Sequence, residues 1–179
     1  MRYKPHDYQR YAADFIKNHP IAALLLSMGL GKTSITLTAI NDLLFDSFEV
    51  SRILVIAPIR VTRVWAEEIE KWDHLRGLTY SIAVGTAEER KTALSRKADI
   101  YIINRENVGW LIDEMPFDFD MIIIDELSSF KNHQTKRFKA LMKARPKAKR
   151  IVGLTGTPTG NGLMDLYAEF RLLDMGKRL

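Results

Sequence analysis

Five short apolar runs, at residues 21–26, 53–57, 100–103, 121–124 and 151–154, limit the folds open to this chain. None of them alternates apolar with polar residues, and Val and Ile recur through them. A strand with one wet face alternates. A continuous apolar run of strand length implies burial on both faces, the condition of a strand inside a parallel sheet. Residues 80–84 read as a further strand. Between the runs, apolar residues recur at helical spacing: Tyr8, Tyr11, Ala12, Phe15 and Ile16 before the first, then Val61, Val64, Trp65, Ile69 and Trp72 after the second. Leu163, Leu166, Tyr167, Phe170 and Leu173 repeat the pattern near the close. Strands alternating with helices predict an α/β domain, a mostly parallel central sheet with helices on both faces. Such sheets bind ligands beyond the carboxyl ends of their strands, so the loops starting near Ser27, Pro58, Asn104, Asp125 and Thr155 are expected to converge.

The 179 residues suit one domain, 1–179, without room for a second lobe. A composition of 46% hydrophobic and 27% charged residues supports a buried core. No apolar run approaches the ~20 residues that span a bilayer, and MRYKPHDYQR at the start is not followed by the apolar core of a secretory signal. A cytoplasmic chain with no membrane attachment is expected. The absence of cysteine excludes disulfides, thiolate metal sites and cysteine nucleophiles. The net charge of +5 permits a polyanionic partner, and its distribution says more: residues 131–150 hold nine Lys or Arg and no Asp or Glu. Two readings of that stretch stand, a solvated helix face with its loop or a nucleic-acid contact.

Two segments carry chemistry. SMGLGKT at 27–33 follows an apolar strand and leads into a helix starting near Lys32, the context a phosphate-binding loop requires. Gly29 and Gly31 let the backbone turn its N–H groups toward a phosphate, so the expected nucleotide contacts are Gly29, Leu30, Gly31, Lys32, Thr33 and Ser34. Lys32 sets a cation against the β and γ phosphates, and Thr33 offers its hydroxyl to Mg²⁺. Position 26 is Leu where the full GxxxxGK[ST] pattern has Gly, which makes this a variant loop. In the second segment an apolar strand ends in Asp125 and Glu126. A carboxylate there is costly unless it meets a cation. Asp125 is expected to hold Mg²⁺, and Glu126 to orient and deprotonate the water that attacks the γ-phosphate.

Taken in order, these segments resemble the first RecA-like lobe of superfamily 2 helicases, and the Swi/Snf-type translocases in particular. The resemblance covers almost the whole chain. Tyr8-Gln9 resembles the adenine-reading glutamine motif, SMGLGKT motif I, and LVIAPIRVTRVWAEEIEKW at 54–72 motif Ia with the helix after it. Asn104-Arg105-Glu106 stands at the loop after the family's next strand, DELSSFKN at 125–132 resembles motif II, and LTGTPTGN at 154–161 resembles motif III. Leu26-Ser27 departs from the acidic pair usual before motif I. Ser128 stands where related proteins carry the Asp or His that relays hydrolysis to motif III. The compact form with SSFKN after the acids resembles phage-encoded members, for which the host cytoplasm is the expected location.

The resemblance implies a RecA-like P-loop NTPase domain that binds ATP through Gln9 and the loop. It also implies a nucleic-acid backbone lying across Pro58, Arg60, Asn104, Arg105, Thr155, Gly156 and Thr157, with duplex DNA favoured over RNA. Catalysis would rest on Lys32 and Glu126, and on a second RecA-like lobe, in cis or trans, that supplies an arginine finger worth roughly 10³ to 10⁵ in rate. The isolated chain is therefore expected to hydrolyse scarcely any ATP. The chain is expected to stop at a lobe boundary of a longer protein. Two alternatives belong to other classes: a natural single lobe acting as a nucleotide-responsive DNA-binding adaptor, and an unrelated P-loop NTPase or kinase.

Overall fold

A computed structural model of the chain describes residues 1–26, 29–127 and 135–156. Six strands form one sheet: β1 (Ile21–Leu25), β2 (Ile53–Ala57), β3 (Tyr80–Ala83), β4 (Ile100–Asn104), β5 (Met121–Asp125) and β6 (Arg150–Thr155). Their spatial order is β1-β6-β5-β2-β4-β3, and every neighbouring pair is parallel. Among the described residues six α-helices accompany them: α1 (Asp7–Asn18), α2 (Lys32–Phe45), α3 (Thr62–Lys71), α4 (Ala87–Ser95), α5 (Val108–Glu114) and α6 (Lys136–Ala144).

The unbroken apolar runs are explained by two cores. On one face Ile53, Val55, Ile100, Ile102, Met121, Ile123, Val152 and Leu154 meet Ile16 of α1, Ile35 and Ile40 of α2, and Trp65 and Ile69 of α3. On the other, Leu54, Ile56, Tyr101, Ile103, Ile122, Ile124 and Ile151 meet Leu94 of α4, Leu111 of α5, and Phe138 and Leu141 of α6. Successive residues of β2, β4 and β5 thus feed opposite cores, and both sets must be apolar.

The edges differ. β1, which pairs with β6 alone, was expected to be buried on both sides. Ala22 and Leu24 are buried, whereas Ala23 and Leu25 are exposed, so β1 alternates as an outermost strand with one covered side does. β3 closes the opposite edge, where residues 80–84 predict it, and alternates likewise. In α1 the predicted period holds with its face rotated: Ala12, Ala13 and Ile16 are buried while Tyr8 and Tyr11 point outward. The apolar stretch ending at Leu173 lies outside the described residues.

The basic stretch divides by role. Arg145 and Arg150 are buried. The Arg150 guanidinium donates to the carbonyls of Ile16 and Lys17 at 3.0 Å each and pairs with Glu49 at 3.3 Å, tying the end of α1 to β6. Lys136, Lys139, Lys143, Lys147 and Lys149 stay exposed. Among the described residues no helix is long and apolar enough to cross a membrane.

Candidate functional site

The carboxyl ends of five strands share one edge, with Leu25 registered against Thr155, Leu154 against Asp125, and Ala57 against Asn104. The loop after β1 reaches this edge and enters α2 through two left-handed glycines, Gly29 (φ +83°) and Gly31 (φ +84°). Gly31 is doubly constrained. A Cβ there would also lie 2.6 Å from Gln9 Nε2. The Leu30 carbonyl is turned toward α1, accepting from the Tyr8 hydroxyl at 3.0 Å and from Gln9 Nε2 at 3.3 Å. In a planar trans peptide the C=O and the next N–H point oppositely, so the Gly31 N–H faces away from α1. Gln9 also accepts from the His6 N–H at 2.9 Å, which fixes its amide from both ends. Beside it opens a cleft of about 380 Å³ whose walls include Tyr3, His6, Gln9, Gly29, Glu68 and Trp72.

Lys32, Thr33 and Ser34 form the first turn of α2, where main-chain N–H groups and the helix dipole favour an anion. Lys32 and Thr33 are half-exposed. Ser34 is buried and donates to the Gly31 carbonyl at 3.0 Å.

Asp125 ends β5 and is buried. Trp65, wholly buried on α3, donates its indole N–H to Oδ2 at 3.0 Å, and the Glu126 N–H donates to Oδ1 at 2.9 Å. Burial pushes this carboxyl above the ordinary aspartate range; the Trp65 hydrogen bond, the nearby Lys32 charge and the Glu126 N–H oppose that without offsetting it. Each Asp125 oxygen accepts one hydrogen bond and keeps a further lone pair, the oxygen donor that a hard divalent cation takes. Among the described residues no group of three or more His, Asp or Glu forms a protein cage, so such an ion would complete its shell with phosphate and water.

Glu126 adopts φ +55°. This left-handed residue turns the chain sharply, and its side chain reaches the ends of β2 and β4 where Asp125 reaches α3. Arg60 Nη2 lies 2.6 Å from Glu126 Oε1, and Arg105 Nη1 lies 3.8 Å from Oε2. Leu127 seats the turn against β6, and Gly153 is what lets it: a Cβ there would come within 2.7 Å of the Leu127 side chain.

Of the expected nucleic-acid contacts, Pro58, Arg60, Asn104, Arg105, Thr155 and Gly156 all lie on this edge. Pro58, Asn104 and Thr155 are buried, Asn104 accepting from Asn107 Nδ2 at 2.8 Å, and Gly156 is exposed. Thr157 and Ser128 lie outside the described residues. The sequence reading missed Trp65 as a partner of Asp125 and the two arginines as partners of Glu126. A buried indole N–H requires an acceptor, which is the signal that Trp65 carried.

A six-stranded parallel sheet fed by a glycine loop at one strand end and a buried carboxylate two strands away defines a RecA-like P-loop domain. The chain belongs to the SNF2-related domain family, which matches residues 14–177. Protein p41 of Acyrthosiphon pisum secondary endosymbiont phage 1 is 36% identical over 99% of this chain and 40% of its own length. SWI/SNF-related matrix-associated actin-dependent regulator of chromatin subfamily A-like protein 1 of Xenopus tropicalis is 31% identical over 90% of this chain and 16% of its own length. Among solved structures, the Sulfolobus solfataricus SWI2/SNF2 ATPase core in complex with dsDNA is similar with a TM-score of 0.85 and 28% identity, covering 97% of this chain and 36% of that one. The chain thus spans well under half the length of each.

Proposed function

We propose that this chain is the ATP- and Mg²⁺-binding lobe of a DNA-dependent ATPase, a helicase or duplex translocase whose turnover needs a second lobe. The observation that carries the reading is the meeting of the left-handed glycine loop with buried, twice hydrogen-bonded Asp125 at one sheet edge. Gln9 and its cleft take the adenine. The N–H groups of residues 29–34 and the Lys32 ammonium take the phosphates. Thr33 and Asp125 hold Mg²⁺, which when bound neutralises phosphate charge. Glu126 orients the attacking water and accepts its proton. The nucleic-acid backbone crosses the same edge at the ends of β2, β4 and β6, with little sequence preference because phosphates carry no base information. Duplex DNA is favoured as partner by the dsDNA in the similar Sulfolobus solfataricus structure. Membership of the SNF2-related family argues against an unrelated P-loop kinase.

The test is nucleotide binding by the wild type and Lys32→Ala. Loss of a charged phosphate contact is expected to weaken binding about tenfold or more. Equal affinities would refute the loop assignment. Turnover of a chain carrying both lobes, measured with DNA and with RNA, then separates the polymers.

A further inference from the structure

Arg60 and Arg105 come from different strand ends and meet on one carboxylate, each at its own oxygen of Glu126. Both were expected to touch nucleic-acid phosphates, and Glu126 to act on water, yet here the three side chains occupy one another. Arg60 is open to solvent, with 66% of its side chain exposed, while Glu126 at 35% and Arg105 at 25% are partly buried. The cluster is also incompletely satisfied, since Arg105 Nε is buried without a hydrogen-bond partner and approaches Glu106 only to 3.7 Å.

We propose that Arg60–Glu126–Arg105 is a latch that couples nucleic-acid binding to catalysis, a step that rests on the function proposed above. With both oxygens paired toward β2 and β4, Glu126 is held off the water it must orient. A backbone phosphate offers a guanidinium two oxygens in a matching fork, a better partner than a single carboxylate oxygen. Nucleic acid arriving at the ends of β2 and β4 takes both arginines and releases Glu126. Exposed ion pairs are weak, so the exchange is easily driven by a polyanion. Competition is reciprocal: whatever Glu126 loses to phosphate, phosphate must first take from Glu126.

Reciprocity permits a test without ATP turnover. Binding of a short mixed-sequence DNA duplex, without nucleotide and at low salt, is followed by fluorescence anisotropy. Glu126→Gln is expected to bind about two- to fivefold tighter than wild type, the range that exposed ion pairs support. Arg60→Gln and Arg105→Gln are each expected to bind more weakly. In an Arg60→Gln, Arg105→Gln background the gain from Glu126→Gln should vanish, because the cycle isolates the shared interaction. Glu126→Gly, which suits the left-handed backbone, must move affinity the same way if Glu126→Gln folds poorly. Unchanged or weaker binding by the Glu126 variants overturns the latch. A chain that binds nucleotide through Lys32 yet shows that result keeps its function and loses the latch; a wild type that binds no duplex overturns both.

Discussion

Glu126 carries a cost that its neighbours do not. A non-glycine residue at φ +55° sacrifices roughly 1 kcal/mol against an ordinary backbone. At most positions glycine destabilises relative to alanine; here the order should invert. Glu126→Gly is expected to be about 1 kcal/mol more stable than Glu126→Ala by chemical denaturation. Equal stabilities would mean that the turn relaxes without strain. Asp125 gives a second residue-scale prediction. Its folded carboxyl binds a proton more tightly than the unfolded one, so the native state holds that proton at pH values where the unfolded chain has lost it. Stability is full below the ordinary aspartate range and falls as pH rises through the raised value. Asp125→Asn should abolish that pH dependence, so its stability in denaturation no longer falls as pH rises above the ordinary aspartate range; its amide can accept from only one of the Trp65 and Glu126 N–H groups, which costs about 1–3 kcal/mol, and it loses Mg²⁺-dependent nucleotide binding. Asp125 and the glycine loop were legible in the sequence because each is a local pattern. The pairing of Arg60 with Glu126 was not, since it joins residues 66 apart through a turn whose handedness no adjacent residue announces.

At the scale of elements, legibility followed burial. β2, β4, β5 and β6 could be read because helices cover both of their faces. β1 could not be read as an edge, because IAALL is apolar on its exposed side too. α4 escaped for a different reason: AEERKTALS buries only Ala93 and Leu94 and shows no apolar stripe, and its start is fixed by a Thr86–Glu89 capping box. α5, at seven residues, is too short to establish a period. Arg150 shows how one side chain fastens two elements. Arg150→Met would leave two carbonyls at the end of α1 without their charged donor, at a cost of about 2–4 kcal/mol. Hydrogen exchange should then accelerate at the end of α1 before it does in β6; uniform acceleration would place the tie elsewhere.

For the whole molecule, two cores across one sheet give a platform whose candidate site residues lie along a single edge. Binding of duplex DNA to that edge should weaken with salt, log affinity falling linearly with log salt concentration. Arg60→Gln and Arg105→Gln should each lower the slope by about one. Substituting Lys139 or Lys143, exposed on α6, tests whether the basic stretch joins the same footprint: an unchanged slope leaves it a solvated face. The isolated chain should bind nucleotide yet turn it over scarcely at all, DNA present or absent, because the transition-state charge lacks a second lobe's arginine. Helicase-like rates from these 179 residues would contradict that.

The hydrogen bond from Trp65 to Asp125 has a spectroscopic consequence. An indole with no solvent exposure, bonded at 3.0 Å to the carboxylate expected to bind the metal, is a chromophore wired to its own ligand. Adding Mg²⁺ at fixed nucleotide should shift the emission of Trp65, and Trp65→Phe should remove that Mg²⁺-dependent shift while Trp72, in the wall of the adenine cleft, still responds to the nucleotide and Trp110 reports on the rest of the fold.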